Sequence, residues 1–197
     1  WNAYISDQNY EKLTIDSQQP LISLGLPCVR IGLAISLPKK GFEDIIRMTT
    51  ELGVDFIQPL FSERTSPTIK HKPNRWNLIL KEAVEQSERL WIPSIYQLRS
   101  FKDWVKSKDS HASIFIAMTR EESIDDLSIS LKKVRNDVTQ LWIIIGPEGG
   151  WSDNEITLAE KLNLNKVKLS EFILRTPTAA ISSLEVIASW RRLKFAH

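Results

Sequence analysis

Leu141-Trp142-Ile143-Ile144-Ile145-Gly146-Pro147-Glu148-Gly149-Gly150-Trp151-Ser152-Asp153-Asn154-Glu155 is the stretch on which the reading of this chain depends. Leu141 to Ile145 is an unbroken apolar run with three consecutive isoleucines, the composition of a strand buried on both faces of a parallel sheet. A glycine-rich turn, Gly146 to Gly150, follows at once. Ser152 and Glu155 then stand three apart as a capping box, so the turn delivers the chain to a helix N-terminus with its unpaired backbone N–H groups. Strand, glycine turn and helix in succession are where α/β proteins hold small molecules. The turn lacks both the Gly-x-Gly-x-x-Gly dinucleotide pattern and the Gly-Lys-Ser/Thr ending of a phosphate loop, which argues against a phosphate cradle.

Outward from this stretch the chain alternates. Strands are expected at Val29 to Ile35, Val54 to Leu60, Ser113 to Met118 and Val167 to Leu169. Helices are expected at Phe42 to Leu52, stopped by Gly53, at Pro73 to about Gln86, at Ile124 to Val134 and at Asp153 to Leu162. Ser100 to Asp103 resembles a further helix start before Trp104 and Val105, and Pro93 ends whatever follows the second helix. A last helix begins near Pro177, with Thr176 as its N-cap, and runs to about Leu193. Its stripe of Ala180, Ile181, Leu184, Ile187 and Ala188 must be buried, either in the core or at a subunit interface extended by Trp190 and Phe195. Alternating strands and helices make this an α/β chain with a parallel sheet covered on both faces.

Composition narrows the function classes. With 197 residues the chain suits one domain and a small appendage. Lys and Arg number 26 against 24 Asp and Glu, a net charge of +2, so any nucleic-acid surface must come from local clustering. Cys28 is the single cysteine, which rules out an internal disulfide and fits a reducing cytoplasm. His71, His111 and His197 have no zinc-like spacing, and no metal is expected. No apolar run reaches the roughly 18 residues of a membrane span, and no signal segment opens the chain. Residues 1–23 are polar and weakly patterned, and the start at Trp1 suggests a piece of a longer polypeptide.

Several segments, taken in order, carry a resemblance. They are Glu51-Leu52-Gly53-Val54-Asp55 with Pro59 and Ser62-Glu63-Arg64; Arg75-Trp76, then Glu82 to Arg89 and Pro93; and Gly146 to Ser152 with Glu155-Ile156, followed by Ile173-Leu174-Arg175-Thr176 and Thr178-Ala179. From about Val29 to the C-terminus the sequence resembles the RsmE family, the small-subunit ribosomal RNA uridine-N3 methyltransferases of the SPOUT superfamily. The resemblance implies an S-adenosylmethionine-dependent enzyme with a C-terminal trefoil knot, working as a homodimer in the cytoplasm on ribosomal RNA. It divides the chain into residues 1–23, the remnant of a PUA-like RNA-binding domain or a docking arm, and residues 24–197, the SPOUT methyltransferase domain.

Mapped residue by residue, the implied cofactor site comprises Met118 and Thr119; Ile145, Gly146, Pro147, Gly149 and Gly150; and Leu169, Ser170, Ile173 and Leu174, with Ala179. Arg175 is the implied stabiliser of charge developing on the uracil oxygens. Glu148 is read either as proton acceptor or water-orienting group, or as a cap on the adjacent helix. Lys39, Arg64, Arg75, Gln86 and Arg89 are the expected RNA contacts; Lys40, Lys70, His71 and Lys72 are further cations in these stretches, and Trp76 offers an aromatic face. Ser170 and Pro177 depart from the family pattern, which has glycine and glutamate there. A serine would strain a loop that needs φ > 0, and the proline deletes a carboxylate beside the cofactor loops. These departures motivate a second reading, a catalytically impaired RNA-binding or ribosome-assembly protein on the same scaffold. A third is a SPOUT enzyme with another RNA target.

Overall fold

The computed structural model describes residues 3–5, 13–15, 26–66, 72–108, 112–119, 121 and 123–195. Near the start, β1 (Ala3–Ile5) and β2 (Leu13–Ile15) pair antiparallel. The rest is built on a parallel sheet of seven strands. These are β3 (Arg30–Ser36), β4 (Phe56–Phe61), β5 (Ser94–Ile95), β6 (Arg99–Ser100), β7 (Ala112–Ala117), β8 (Gln140–Ile145) and β9 (Asn165–Val167). The order is β5-β4-β3-β8-β7-β9, with β6 continuing the pairing along β4. The apolar run of β8 thus lies between β3 and β7, where Ile145 pairs with Ile35 and Ile144 with Ile116.

The period of two along these strands explains why the sheet needs cover on both faces. Ile31, Leu33 and Ile35 of β3, with Leu141, Ile143 and Ile145 of β8, point into one core, whereas Ala34, Trp142 and Ile144 point into the other. The first core is closed by α1 (Phe42–Glu51), α2 (Pro73–Gln86), α4 (Leu127–Lys132) and α6 (Thr176–Phe195). The second is closed by α3 (Phe101–Lys106) and α5 (Asp153–Lys161). Each helix presents one stripe. In α2, Trp76, Ile79, Leu80, Ala83 and Val84 are buried, and in α6, Ala180, Leu184, Ile187 and Ala188. Burial of each such large aliphatic side chain stabilises the fold by about 1.5–3 kcal/mol.

Most expected elements appear within a residue or two, and the differences have physical causes. β9 starts at Asn165 and ends at Val167, earlier than expected, because an edge strand next to β7 needs no apolar run. α4 starts at Leu127 rather than Ile124, since the preceding backbone is taken up by a bridge between Asp126 and Lys168. Thr176 is the first helical residue of α6, and its hydroxyl donates to the Gly146 carbonyl at 3.4 Å instead of capping the helix. Trp190 and Phe195 meet edge to face at 6.0 Å and pack against the first core. Leu193, by contrast, is 82% exposed on the same helix.

At the amino ends of β3 and β4 sits the fully buried carboxylate of Asp55. It accepts from the Ile31 N–H at 2.8 Å, the Trp91 indole at 2.9 Å and Arg191 at 2.8 Å, while Arg30 and Arg89 approach at 3.3 and 3.7 Å. Arg191 also donates to the carbonyls of Val29 and Gly53. α6 is thereby fastened to the base of the sheet.

Candidate active site

At the opposite end of the sheet the loops after β7, β8 and β9 converge on a cavity of about 720 Å³. The carboxyl ends of parallel strands are where α/β sheets leave room for ligands, and this volume lies within the usual range for small-molecule sites. Met118 and Thr119 enter from β7, and Ile145 with the turn Gly146 to Gly150 from β8. Leu169, Ser170, Ile173 and Leu174 come from the loop after β9, and Ala179 from the first turns of α6. The structure therefore brings together every residue expected at the cofactor site.

The turn is shaped by what stands behind it. Ser152 and Glu155 form the full capping box, the serine hydroxyl accepting from the Glu155 N–H and the glutamate from the Ser152 N–H. Gly150 has φ 73°, a conformation that L side chains avoid. Gly146 lies against the Trp151 indole so closely that a Cβ there would come within 2.9 Å of the ring. That indole donates to the Ala117 carbonyl at 3.1 Å, so one side chain braces the ends of both β7 and β8. Trp151 and Ile156, which the resembling segments include without a role, also line the cavity, as do Glu121, Lys168, Glu171 and Phe172, which the sequence reading does not name. Their positions follow from loop convergence, which no local pattern records.

Polar groups ring the mouth. Arg175 and Glu148 are exposed and line it, as does Arg64, whose guanidinium donates to the Gly149 carbonyl at 3.2 Å. The capping alternative for Glu148 does not hold. α5 is capped by Ser152 and Glu155, and Glu148 instead accepts the Lys39 backbone N–H at 3.0 Å. Ser170 is not at positive φ, so the strain expected of a serine there is absent; its hydroxyl accepts the Phe172 N–H at 3.1 Å.

The expected RNA contacts divide. Lys39 and Arg64 stand exposed beside the cavity turn. Arg75 is exposed on α2, where it and Lys72 pair with Glu43, and Gln86 is exposed at the end of that helix. Arg89 is corrected: its side chain is only 10% exposed and is committed to Asp55 and to the Thr50 carbonyl. Burial pushes the Arg89 guanidinium below its usual value, against the pull of Asp55. Trp76 is corrected too, being buried edge to face against Phe42 and unable to stack on a base. Lys70 and His71 lie outside the described residues.

Residues 25–188 match the model of the RNA methyltransferase domain. The chain belongs to this family. It is 38% identical over 193 residues to ribosomal RNA small subunit methyltransferase E of Synechocystis sp., an alignment covering 95% of this chain and 61% of that protein. Among solved structures, ribosomal RNA small subunit methyltransferase E from Neisseria gonorrhoeae, bound to S-adenosyl methionine, superposes with a TM-score of 0.72 at 26% identity. That match covers 82% of this chain and 66% of the other. A methyltransferase from Legionella pneumophila in complex with the same cofactor superposes with a TM-score of 0.70 at 29% identity, again over 82% and 66%. The chain thus spans less than two thirds of the length of these relatives. The α/β class read from the sequence agrees with the parallel sheet and with the superposition on both solved structures.

Proposed function

We propose that the chain carries the catalytic domain of an S-adenosylmethionine-dependent methyltransferase acting on N3 of a uridine in small-subunit ribosomal RNA. The observation that carries this reading is the cavity built from the loops after β7, β8 and β9 in a chain whose relatives bind that cofactor. The residues suit the group. Met118, Ile145, Leu169, Ile173 and Leu174 offer an apolar wall for an adenosyl moiety, and the glycine turn allows close backbone approach to its polar edges. When bound, S-adenosylmethionine supplies an electrophilic methyl group.

The chain's own residues then have defined tasks. Uridine N3 bears a proton and sits on the Watson–Crick edge, so the base must be unpaired when it enters the mouth. As the methyl arrives, N3 gives its proton to water at the open mouth, negative charge develops on the uracil oxygens in the process, and Arg175 at the mouth supplies a cation for it. The walls hold the base in line, a proximity effect that needs no covalent intermediate. Lys39, Arg64 and Arg75 contact RNA phosphates in this reading. A homodimer belongs to it as well, supported by the exposed Leu193 and Val186 on α6. So does a C-terminal trefoil knot, supported by the placement of β8 between β3 and β7 and by the return of α6 against β3 and β8. Residues 1–23 are assigned to the end of a preceding RNA-binding domain or to a docking arm.

Incubation of the chain with methyl-labelled S-adenosylmethionine and undermethylated small ribosomal subunits tests this, with nuclease digestion and mass spectrometry of the nucleosides. Label in 3-methyluridine is the expected result. Cofactor binding without transfer to any RNA would favour the RNA-binding alternative, which rests on Pro177 in the first turn of α6.

A further inference from the structure

Two loops that the strand order places beside the cavity are fastened to its central turn. In the loop after β3, the Lys39 N–H donates to Glu148 Oε1 at 3.0 Å across 109 residues of sequence. In the loop after β4, Arg64 donates to the Gly149 carbonyl at 3.2 Å, and the Glu63 N–H donates to Glu155 at 3.1 Å. Asn154 completes the seam by donating to Glu63 at 3.3 Å. The side chains of Lys39, Lys40 and Arg64 are all exposed along this rim. These bonds join the basic rim to the glycine turn, and two of them end on exposed carboxylates, Glu148 and Glu63.

We infer that Glu148 is a positioning residue. Through the Lys39 N–H it ties the basic loop to the turn of the cavity, so that filling the cavity and binding RNA phosphates on Lys39, Lys40 and Arg64 strengthen each other. The inference rests on the proposed cofactor site. Its physical basis is the shared cost of ordering. A ligand that touches the backbone of Gly146 to Gly150 fixes the turn, the turn fixes the loop hydrogen-bonded to it, and the second ligand then has less freedom left to remove. The coupling must be reciprocal, because it is a property of the ternary equilibrium. A proton acceptor in the same position would act on turnover and leave this equilibrium untouched.

The test uses the full chain, a fluorescently labelled RNA hairpin with unpaired uridines in its loop, and S-adenosylhomocysteine, at one fixed salt concentration because phosphate contacts are salt-dependent. Hairpin affinity is measured with and without saturating S-adenosylhomocysteine, for the wild type, Glu148→Ala and Glu148→Gln. In the wild type the nucleoside tightens RNA binding roughly five- to tenfold, and the hairpin tightens nucleoside binding by the same factor. Glu148→Ala lowers the ratio roughly two- to threefold, the remainder passing through the Arg64 bond to Gly149, while the chain still binds each ligand separately. Glu148→Gln retains an oxygen that accepts the Lys39 N–H and restores most of the ratio. A wild-type ratio of one, an unchanged ratio in Glu148→Ala, or an equal loss in both variants overturns the inference. Failure of the folded wild type to bind S-adenosylhomocysteine at all overturns the cofactor site itself, and is told apart because a failure of coupling alone leaves that binding intact.

Discussion

At the amino ends of β3 and β4 one fully buried carboxylate, Asp55, gathers the guanidiniums of Arg30, Arg89 and Arg191. At the carboxyl ends of β7, β8 and β9, Arg64 and Arg175 stand exposed around a cavity instead. The two ends differ in where their charges are satisfied. Asp55 holds the three arginines together and pins α6 to the sheet through Arg191, although Arg30 Nε and Arg89 Nη2 make no hydrogen bond there, so that end answers to stability. The cavity turns apolar walls, glycine backbone and exposed charge toward whatever enters, so this end answers to ligands. Conservative changes are therefore expected to separate cleanly, one end altering the melting temperature and the other altering binding and turnover.

The largest effect is expected at the clamp. Asp55→Ala leaves guanidiniums buried without their counter-charge and should cost about 3–5 kcal/mol in urea unfolding. A loss under about 1 kcal/mol would show that the arginines find water or other partners. At the cavity, Arg175→Ala is expected to lower turnover by roughly 10²–10³-fold, the effect of removing one fixed oxyanion donor. Its affinity for S-adenosylmethionine and its unfolding midpoint should stay near those of the wild type. Gly146→Ala is the more local probe. The added Cβ meets the Trp151 ring, and the strain should weaken cofactor affinity by about 1–3 kcal/mol in a calorimetric titration. The smallest effect is expected from Ser152→Ala, which removes the α5 cap at a cost of about 1 kcal/mol in thermal unfolding. It sharpens the comparison because the cap belongs to the framework although it sits beside the cavity.

Much of this arrangement was legible in the sequence where local pattern determines structure. The apolar run of β8, the capping box at Ser152 and Glu155 and the stripes of α2 and α6 each need only neighbouring residues to be read. The cavity loops became legible through the resemblance, since nothing local to Leu169 or Met118 says that they meet. What stayed hidden was pairing at long range. Arg30, Asp55, Arg89 and Arg191 converge only once the sheet is formed, so Arg89 read as a free cation when it is part of the clamp. Trp76 read as a stacking surface because a helix's inward direction depends on its neighbours, here Phe42. Glu148 read as a possible helix cap because its actual partner, the Lys39 N–H, lies 109 residues away.

The central claim is that the carboxyl-end cavity holds S-adenosylmethionine. Calorimetric titration of S-adenosylmethionine into the purified chain and its Gly146→Ala variant, with the fold of both checked by circular dichroism, tests it most directly. The account predicts about one cofactor per chain for the wild type and clearly weaker binding for a variant that remains folded. A folded wild type that takes up no cofactor, or equal binding by both proteins, would contradict it.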